Sequence, residues 1–264
     1  MTNDPNDPND QCSPVPFQLS FSPSRPGSRP SASRLLLLAA CALALPACIQ
    51  GTDGNGQRST ELRAVGAFSR VESRGSLNVQ IDQGPAFTAT VSIDSNLQRQ
   101  VETRVAGSAL VIDVDGAIGD TVAGPHVLVT LPVLERAAIT GSSRLATSDF
   151  QQDQPVALDL AGSGDIVFTG TVPSVEAHLG GSGDVRVSGA ATSIDLSLDG
   201  SGTIDAAGCH ATDAAVSLSG SGRVATTATA TARVRLSGSG DVDVYGGATI
   251  TSLSISGSGD VHTH

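Results

Sequence analysis

Three sets of side chains have types and spacings that could do chemistry. The carboxylates Asp159, Glu176 and Asp195 recur at steps of 17 and 19 residues, with His178 beside them and Arg233 and Arg235 further along. Paired carboxylates perform acid and base work on glycosidic bonds when they flank the bond. A second set is Asp165, Asp184, Thr203, Arg223, Asp241 and Asp260, each directly after a Gly-Ser-Gly tripeptide. A stack of aspartates there would suit a hard cation such as Ca²⁺. The third set is thiols and imidazoles: Cys48 closing an apolar run, Cys209 between Gly208 and His210, and His262 with His264 two residues apart.

The elements that position these groups follow from the tripeptide. Gly-Ser-Gly begins at Gly162, Gly181, Gly200, Gly220, Gly238 and Gly257, and a degenerate copy is Gly141-Ser142-Ser143. The intervals are 21, 19, 19, 20, 18 and 19 residues. A period that steady marks one structural unit stacked on itself. Within a unit the pattern alternates: Val175, Ala177 and Leu179 share one face before the bend, and Val185 and Val187 share it after. Each coil therefore reads as strand, glycine corner, strand and return loop. Gly162, Gly164, Gly181, Gly183, Gly200, Gly202, Gly220, Gly222, Gly238, Gly240, Gly257 and Gly259 are assigned as structural corners, where a Cβ would oppose the turn. The corner serines are expected to hydrogen-bond locally through their hydroxyls. The fold class is all-β: a right-handed parallel β-helix, or solenoid, with ~19-residue coils, preceded by a non-repeating β segment. In that segment Ser76–Ile81, Thr88–Ile93, Ala109–Val114 and Val127–Leu131 read as strands, and Leu97–Val105 as strand or short helix.

This architecture weakens the catalytic and metal readings. Thr203 and Arg223 interrupt the aspartate column, and nonapeptide calcium rolls have half this period, so the aspartates are read as strand-start acceptors. Asp159, Glu176 and Asp195 lie on consecutive coils without an aromatic platform for sugar. With His178, Arg233 and Arg235 they form a candidate binding face. Cys209 reads as a small buried filler, and the terminal histidines as a fraying end. The Thr-rich run Ala225–Ala232 occurs in one coil only. No catalytic residue, metal ligand or cofactor is assigned. The alternative is a polysaccharide-active hydrolase or lyase using the exposed carboxylates.

The 264 residues carry a formal net charge of −11, and all 15 basic residues are Arg. An acidic chain without basic clusters argues against nucleic acid as a partner. Residues 1–34 are polar and Pro-rich and read as disordered or as an over-predicted N-terminal extension. Residues 35–48, LLLLAACALALPAC after Arg34, have the charge, short apolar run and small-residue end of a secretory signal. Leu45-Pro46-Ala47-Cys48 resembles the lipobox of bacterial lipoproteins; Leu38-Ala39-Ala40-Cys41 also fits, but leaves too little apolar run before it. The resemblance implies lipidation at Cys48 and a partner in the membrane. Ile49 and Gln50 are not the Asp that resembles an inner-membrane retention signal, which in a cell with two membranes points to the outer one. Residues 49–66 read as a flexible tether, and 67–264 as the solenoid domain.

Val71–Gly84 (VESRGSLNVQIDQG), Asp94–Leu97, Leu110–Ile112 and the GSGDV-type corners at Gly162, Gly181, Gly238 and Gly257 carry a resemblance. The chain is similar to the putative auto-transporter adhesin head GIN domain family, a bacterial family of unknown function, over about residues 64–264. The resemblance implies a β-helix without catalytic residues and a role in adhesion. Ser143, Thr203 and Arg223 depart from the corner pattern. The expected function is a cell-envelope lipoprotein with a binding or structural domain. Its expected partners are the membrane, a glycan or surface protein, and a second copy through the solenoid ends, where an unpaired edge invites pairing.

Overall fold

The computed structural model describes residues 51–121 and 124–264; the segments assigned above to residues 1–34 and 35–48, Cys48 included, lie outside them. Among the described residues there is no α-helix, and one continuous sheet of 17 strands winds through the chain. In chain order these are β1 (Arg58–Arg63), β2 (Arg70–Gly75), β3 (Asn78–Gln83), β4 (Thr88–Asp94), β5 (Val101–Ala106), β6 (Ala109–Val114), β7 (His126–Leu131), β8 (Arg136–Gly141) and β9 (Arg144–Gln151). They continue as β10 (Val156–Gly162), β11 (Asp165–Gly181), β12 (Asp184–Gly200), β13 (Thr203–Gly220), β14 (Arg223–Gly238), β15 (Asp241–Tyr245), β16 (Thr249–Gly257) and β17 (Val261–Thr263). From β8 onward every neighbour in the stack is parallel. The chain forms a parallel β-solenoid of about seven turns with ~19-residue coils.

Two walls meet at the glycine corners. The wall that enters them contains β2, β8, β10, the second halves of β11 to β14, and β16. The wall that leaves them contains β3, β9, the first halves of β11 to β14, β15 and β17. Corner stacks on corner, Gly75 on Gly141, Gly162, Gly181, Gly200, Gly220, Gly238 and Gly257. The two glycines of a corner are required for different reasons. Gly181 has φ +139, and a Cβ on it would lie 2.3 Å from the carbonyl oxygen of Gly162. No φ in the left-handed region constrains Gly183, yet a Cβ there would lie 2.2 Å from Gly164 O and 2.8 Å from Leu160 Cδ2. The corner serines differ from expectation. They are exposed, and among the described residues their hydroxyls make no hydrogen bond; the ladder is closed by backbone, as in Ser182 N to Gly162 O at 3.0 Å.

Period-2 alternation fills the space between the walls with aliphatic side chains. Val175, Leu179, Val185, Leu196, Leu198, Val216 and Leu218 are all buried. Phe150 and Phe168 stack with centroids 6.4 Å apart inside the early coils. Cys209 is buried among the aliphatics, as its sequence context suggested, and burial raises its thiol above the ordinary 9.0.

The first part of the chain differs most from the reading of its sequence. The non-repeating β segment is present, but β2 and β3 belong to the stack, with Gly75-Ser76-Leu77 as their corner. They are inserted between β6/β7 on one side and β8/β9 on the other. Antiparallel strands close this end: β5 on β6, β4 on β7 and β1 on β4. Leu97–Val105 supplies both expected forms, a 3-10 turn at Gln98–Gln100 and then β5. The flexible tether over 49–66 is corrected. Thr52 pairs with Ile118, Asn55 bonds Ser95 and Asn96, and β1 makes a six-residue ladder with β4. Backbone groups that a free linker would leave to water are thus satisfied within the domain.

Among the described residues the other end has no antiparallel closure. β16 and β17 are the last rungs, on β14 and β15. Leu253 and Ile255 stand in the same inward columns as Val234 and Leu236, yet they are 53% and 46% exposed. The fraying assigned to the terminal histidines is also corrected. His262 lies in β17, His264 N bonds Val244 O at 2.9 Å, and the His264 ring stacks on Tyr245 at 4.5 Å and meets Asp243 at 3.2 Å.

Candidate binding face

The ladder register is one-to-one over most of the entering wall, so outward residues form straight columns. One column runs Arg70, Arg136, Ala157, Glu176, Asp195, Ala215, Arg233, Ser252. Its neighbour runs Glu72, Ala138, Asp159, His178, Ser197, Ser217, Arg235, Ser254. The structure therefore brings all six predicted face residues, Asp159, Glu176, His178, Asp195, Arg233 and Arg235, onto one surface. Along the stack that surface is basic, then acidic, then basic, over a floor of Ala and Ser. Small side chains make the floor because the sheet needs nothing bulky outside.

Four shallow depressions lie on this face. The largest, about 620 Å³, sits between the β5–β6 turn at Gly107 and the side chains of Arg70, Arg136, Asp159 and His178. One of about 400 Å³ is bordered by Glu176, Asp195, Asp213 and Arg233, and one of about 250 Å³ by Asp195, Ser217, Arg233 and Arg235. The fourth, about 260 Å³, lies between Glu135 and Glu176. Arg70 and Arg136 extend the face beyond the predicted set. Their link to it was hidden by distance in sequence, since only the β2–β8 pairing aligns Arg70 with Arg136.

The carboxylates of this face are stacked or ion-paired. Glu176 and Asp195 are adjacent rungs of one column, ~4.8 Å apart and pointing the same way. Asp159 is held by Arg136, whose Nε lies 2.8 Å from Oδ2, out of line with an aligned hydrogen bond, so the contact is ionic. No Phe, Tyr or Trp side chain borders the four depressions. Among the described residues no group of three His, Cys, Asp or Glu could hold a metal ion.

The post-corner column on the opposite wall is electrostatically relieved by arginine. Arg144 lies 3.8 Å from Asp165, Arg186 3.2 Å from Asp184, and Arg223 3.6 and 3.8 Å from Asp241 and Asp243. Arg223, which interrupts the aspartates, thus neutralises the next coil. Exposed pairs of this kind add little stability, but they remove the like-charge cost of stacking. The hydrogen-bonding role expected of these aspartates at strand starts is mostly an ion-pair role.

Residues 67–248 match the family described as "putative auto-transporter adhesin, head GIN domain". The chain belongs to this family. GIN-domain membership agrees with solved structures of the same architecture. A "putative adhesin" from Bacteroides fragilis has TM-score 0.70 at 22% identity, covering 81% of this chain and 100% of that one. A "putative lipid binding protein" from Parabacteroides distasonis has TM-score 0.67 at 23% identity, with the same coverage. A "putative adhesin" from Parabacteroides merdae has TM-score 0.63 at 18% identity, covering 81% and 99%. At these identities the likeness shows the fold. Among curated proteins none matches the chain.

Proposed function

We propose that this GIN-domain chain is a lipid-anchored protein of the cell envelope whose solenoid binds a surface partner, an adhesion module without catalysis. The observation that carries this reading is the entering wall, where four depressions share one small-residue floor bounded by opposite charges. Family membership and the adhesin names of its structural relatives support it. The charge order and a lining without Phe, Tyr or Trp favour a protein surface of complementary charge over a glycan.

The lipobox-like Cys48 supplies the anchor in this reading, with the outer membrane as the address. Thr52, which is already paired to Ile118, follows Cys48 by only four residue steps. An extended chain of that length spans at most ~14 Å. In this reading the chain enters the solenoid domain at its closed end, and the open end lies roughly 40 Å along the stack from it, counting rungs from β7 to β17 at one strand spacing each.

Two measurements test this. Labelled palmitate should enter the full chain and be lost in Cys48→Ser; label surviving that change refutes the anchor. On a printed array of purified surface proteins and polysaccharides, the full chain should retain a protein spot. Retention should fall roughly tenfold in a variant carrying Glu176→Lys and Asp195→Lys, as expected for loss of central charged contacts. Retention unchanged by that variant refutes the face.

A further inference from the structure

Among the described residues, the rung formed by β16 is where the solenoid's own rule is left unsatisfied. At every earlier rung the aliphatic columns are covered by the next coil: Val234 and Leu236 are 2% and 1% exposed beneath β16. Leu253 and Ile255 continue those columns and are half exposed. Among the described residues the other large exposed apolar side chain is Leu62, alone between Glu61 and Arg63. The edge of β16, sequence TITSLSISG, carries no charge and no proline. The edges at the closed end are different: β1 carries Arg58, Glu61 and Arg63, and β5 carries Glu102 and Arg104. Charge on an edge strand discourages pairing, and an uncharged, alternating edge invites it.

What covers this end must offer a strand edge and an aliphatic alternation in register. A second copy of β16 does both. Set antiparallel about Ser254, Leu253 of one copy stands opposite Ile255 of the other, Ser254 opposite Ser254, and both columns continue across the join. The contact is self-complementary, as a two-fold interface requires. The closed end offers no equivalent, because its edges are charged and its core is already covered.

We propose that two copies pair through their open ends by antiparallel β16–β16 addition, and that this pairing joins opposing membranes. The second part rests on the anchor reading above but not on the binding face. In such a pair the closed ends point away from each other. Lipid anchors beside them then lie in two different membranes, so the partner recognised is this same chain on a neighbouring cell.

The test uses the purified full chain with vesicles of phosphatidylethanolamine and phosphatidylglycerol. The chain should float with the vesicles, and the vesicles should cluster, read as turbidity. A variant carrying Leu253→Glu and Ile255→Glu should float equally, melt at the parental temperature and cluster roughly tenfold less. Ser254→Cys should give a disulfide-linked dimer under mild oxidation, since residues directly opposite in an antiparallel pair have Cβ atoms within disulfide reach. Ser197→Cys, in the same column at mid-stack, should give no more than the parent chain. Floating protein without clustering overturns the proposal. So does clustering that survives the two glutamates, or cross-linking at Ser197 equal to that at Ser254. A chain that does not float refutes the anchor and with it the bridging of membranes; the Ser254 cross-link in solution then separately decides the pairing.

Discussion

The two ends of this solenoid solve the same problem differently. At the N-terminal end the stack is closed by antiparallel strands whose exposed edges carry Arg and Glu. At the C-terminal end the last coil keeps the repeat's alternation, and Leu253 and Ile255 face water. The coil itself is encoded by glycine spacing and aliphatic columns, which are local. The cap is encoded by long-range pairings between segments that share no repeat. A repeat can therefore be copied without limit, while a terminus must be specified separately. In the proposed pair, the end without an antiparallel cap is the one that takes the partner.

The comparison can be broken most forcefully at the corners. Gly200 and Gly257 have nearly the same geometry, φ +145 and +130, and a Cβ would lie 2.2 and 2.0 Å from the carbonyl oxygen of the coil beneath. Gly200→Val lies between covered coils and should cost more than ~4 kcal/mol, enough to abolish cooperative folding. Gly257→Val can be relieved by local opening of the last coil and should cost less than ~2 kcal/mol. Equal losses in denaturant unfolding would show that the two ends are equally constrained. A smaller contrast comes from the aliphatic columns. Leu160→Ala, at a site 1% exposed, should cost about 2–5 kcal/mol. Leu253→Ala, measured in dilute solution where the open end is unpaired, should cost less than ~1 kcal/mol, because much of its side chain is already in water.

The smallest effect concerns Cys209, far from either end. Burial raises its thiol above the ordinary 9.0, so the folded state holds this proton to higher pH than the unfolded state does. Its contribution to stability is unchanged below that ordinary value and is lost as pH rises through the folded-state value. Between pH 8 and pH 10 the parent should lose slightly more stability than Cys209→Ala, measured as the difference in urea midpoints. The thiol should react with a thiol reagent at pH 8 only after denaturation. A thiol that reacts in the folded chain would mean that the mid-stack opens as readily as the end.

The repeating coils were legible in the sequence because two backbone positions per coil exclude a Cβ. Gly75-Ser76-Leu77 shows where that signal fails. Beneath Gly75 a Cβ would meet only the Val114 side chain, at 3.6 Å and farther, in place of a carbonyl. The unit below, β6 and β7, is joined by the long connection 115–125 and not by a tight corner. With no corner underneath, Leu77 can occupy the third position, and it is fully packed. Ser143 replaces the next glycine and is held by bonds to Ser73 Oγ and Gly75 O at 2.9 and 3.1 Å. The insertion of β2 and β3 between later strands leaves no periodic trace, and neither does the docking of residues 52–63. The binding face was legible as columns, because alternation and a fixed period determine which residues align. Its depressions were not, since the largest needs the β5–β6 turn, brought there by pairing of β6 with β2.

The most direct test of the central claim is hydrogen exchange of the β16 amides as a function of protein concentration. Among Thr249–Gly257, half of the amides point away from β14 and have no partner in a single copy. If the open end pairs with itself, these amides exchange rapidly in dilute solution and slow as concentration rises, while amides of β1 and β5 at the closed end do not change. Exchange at β16 that is independent of concentration, or protection that appears first at β1 and β5, would contradict the account.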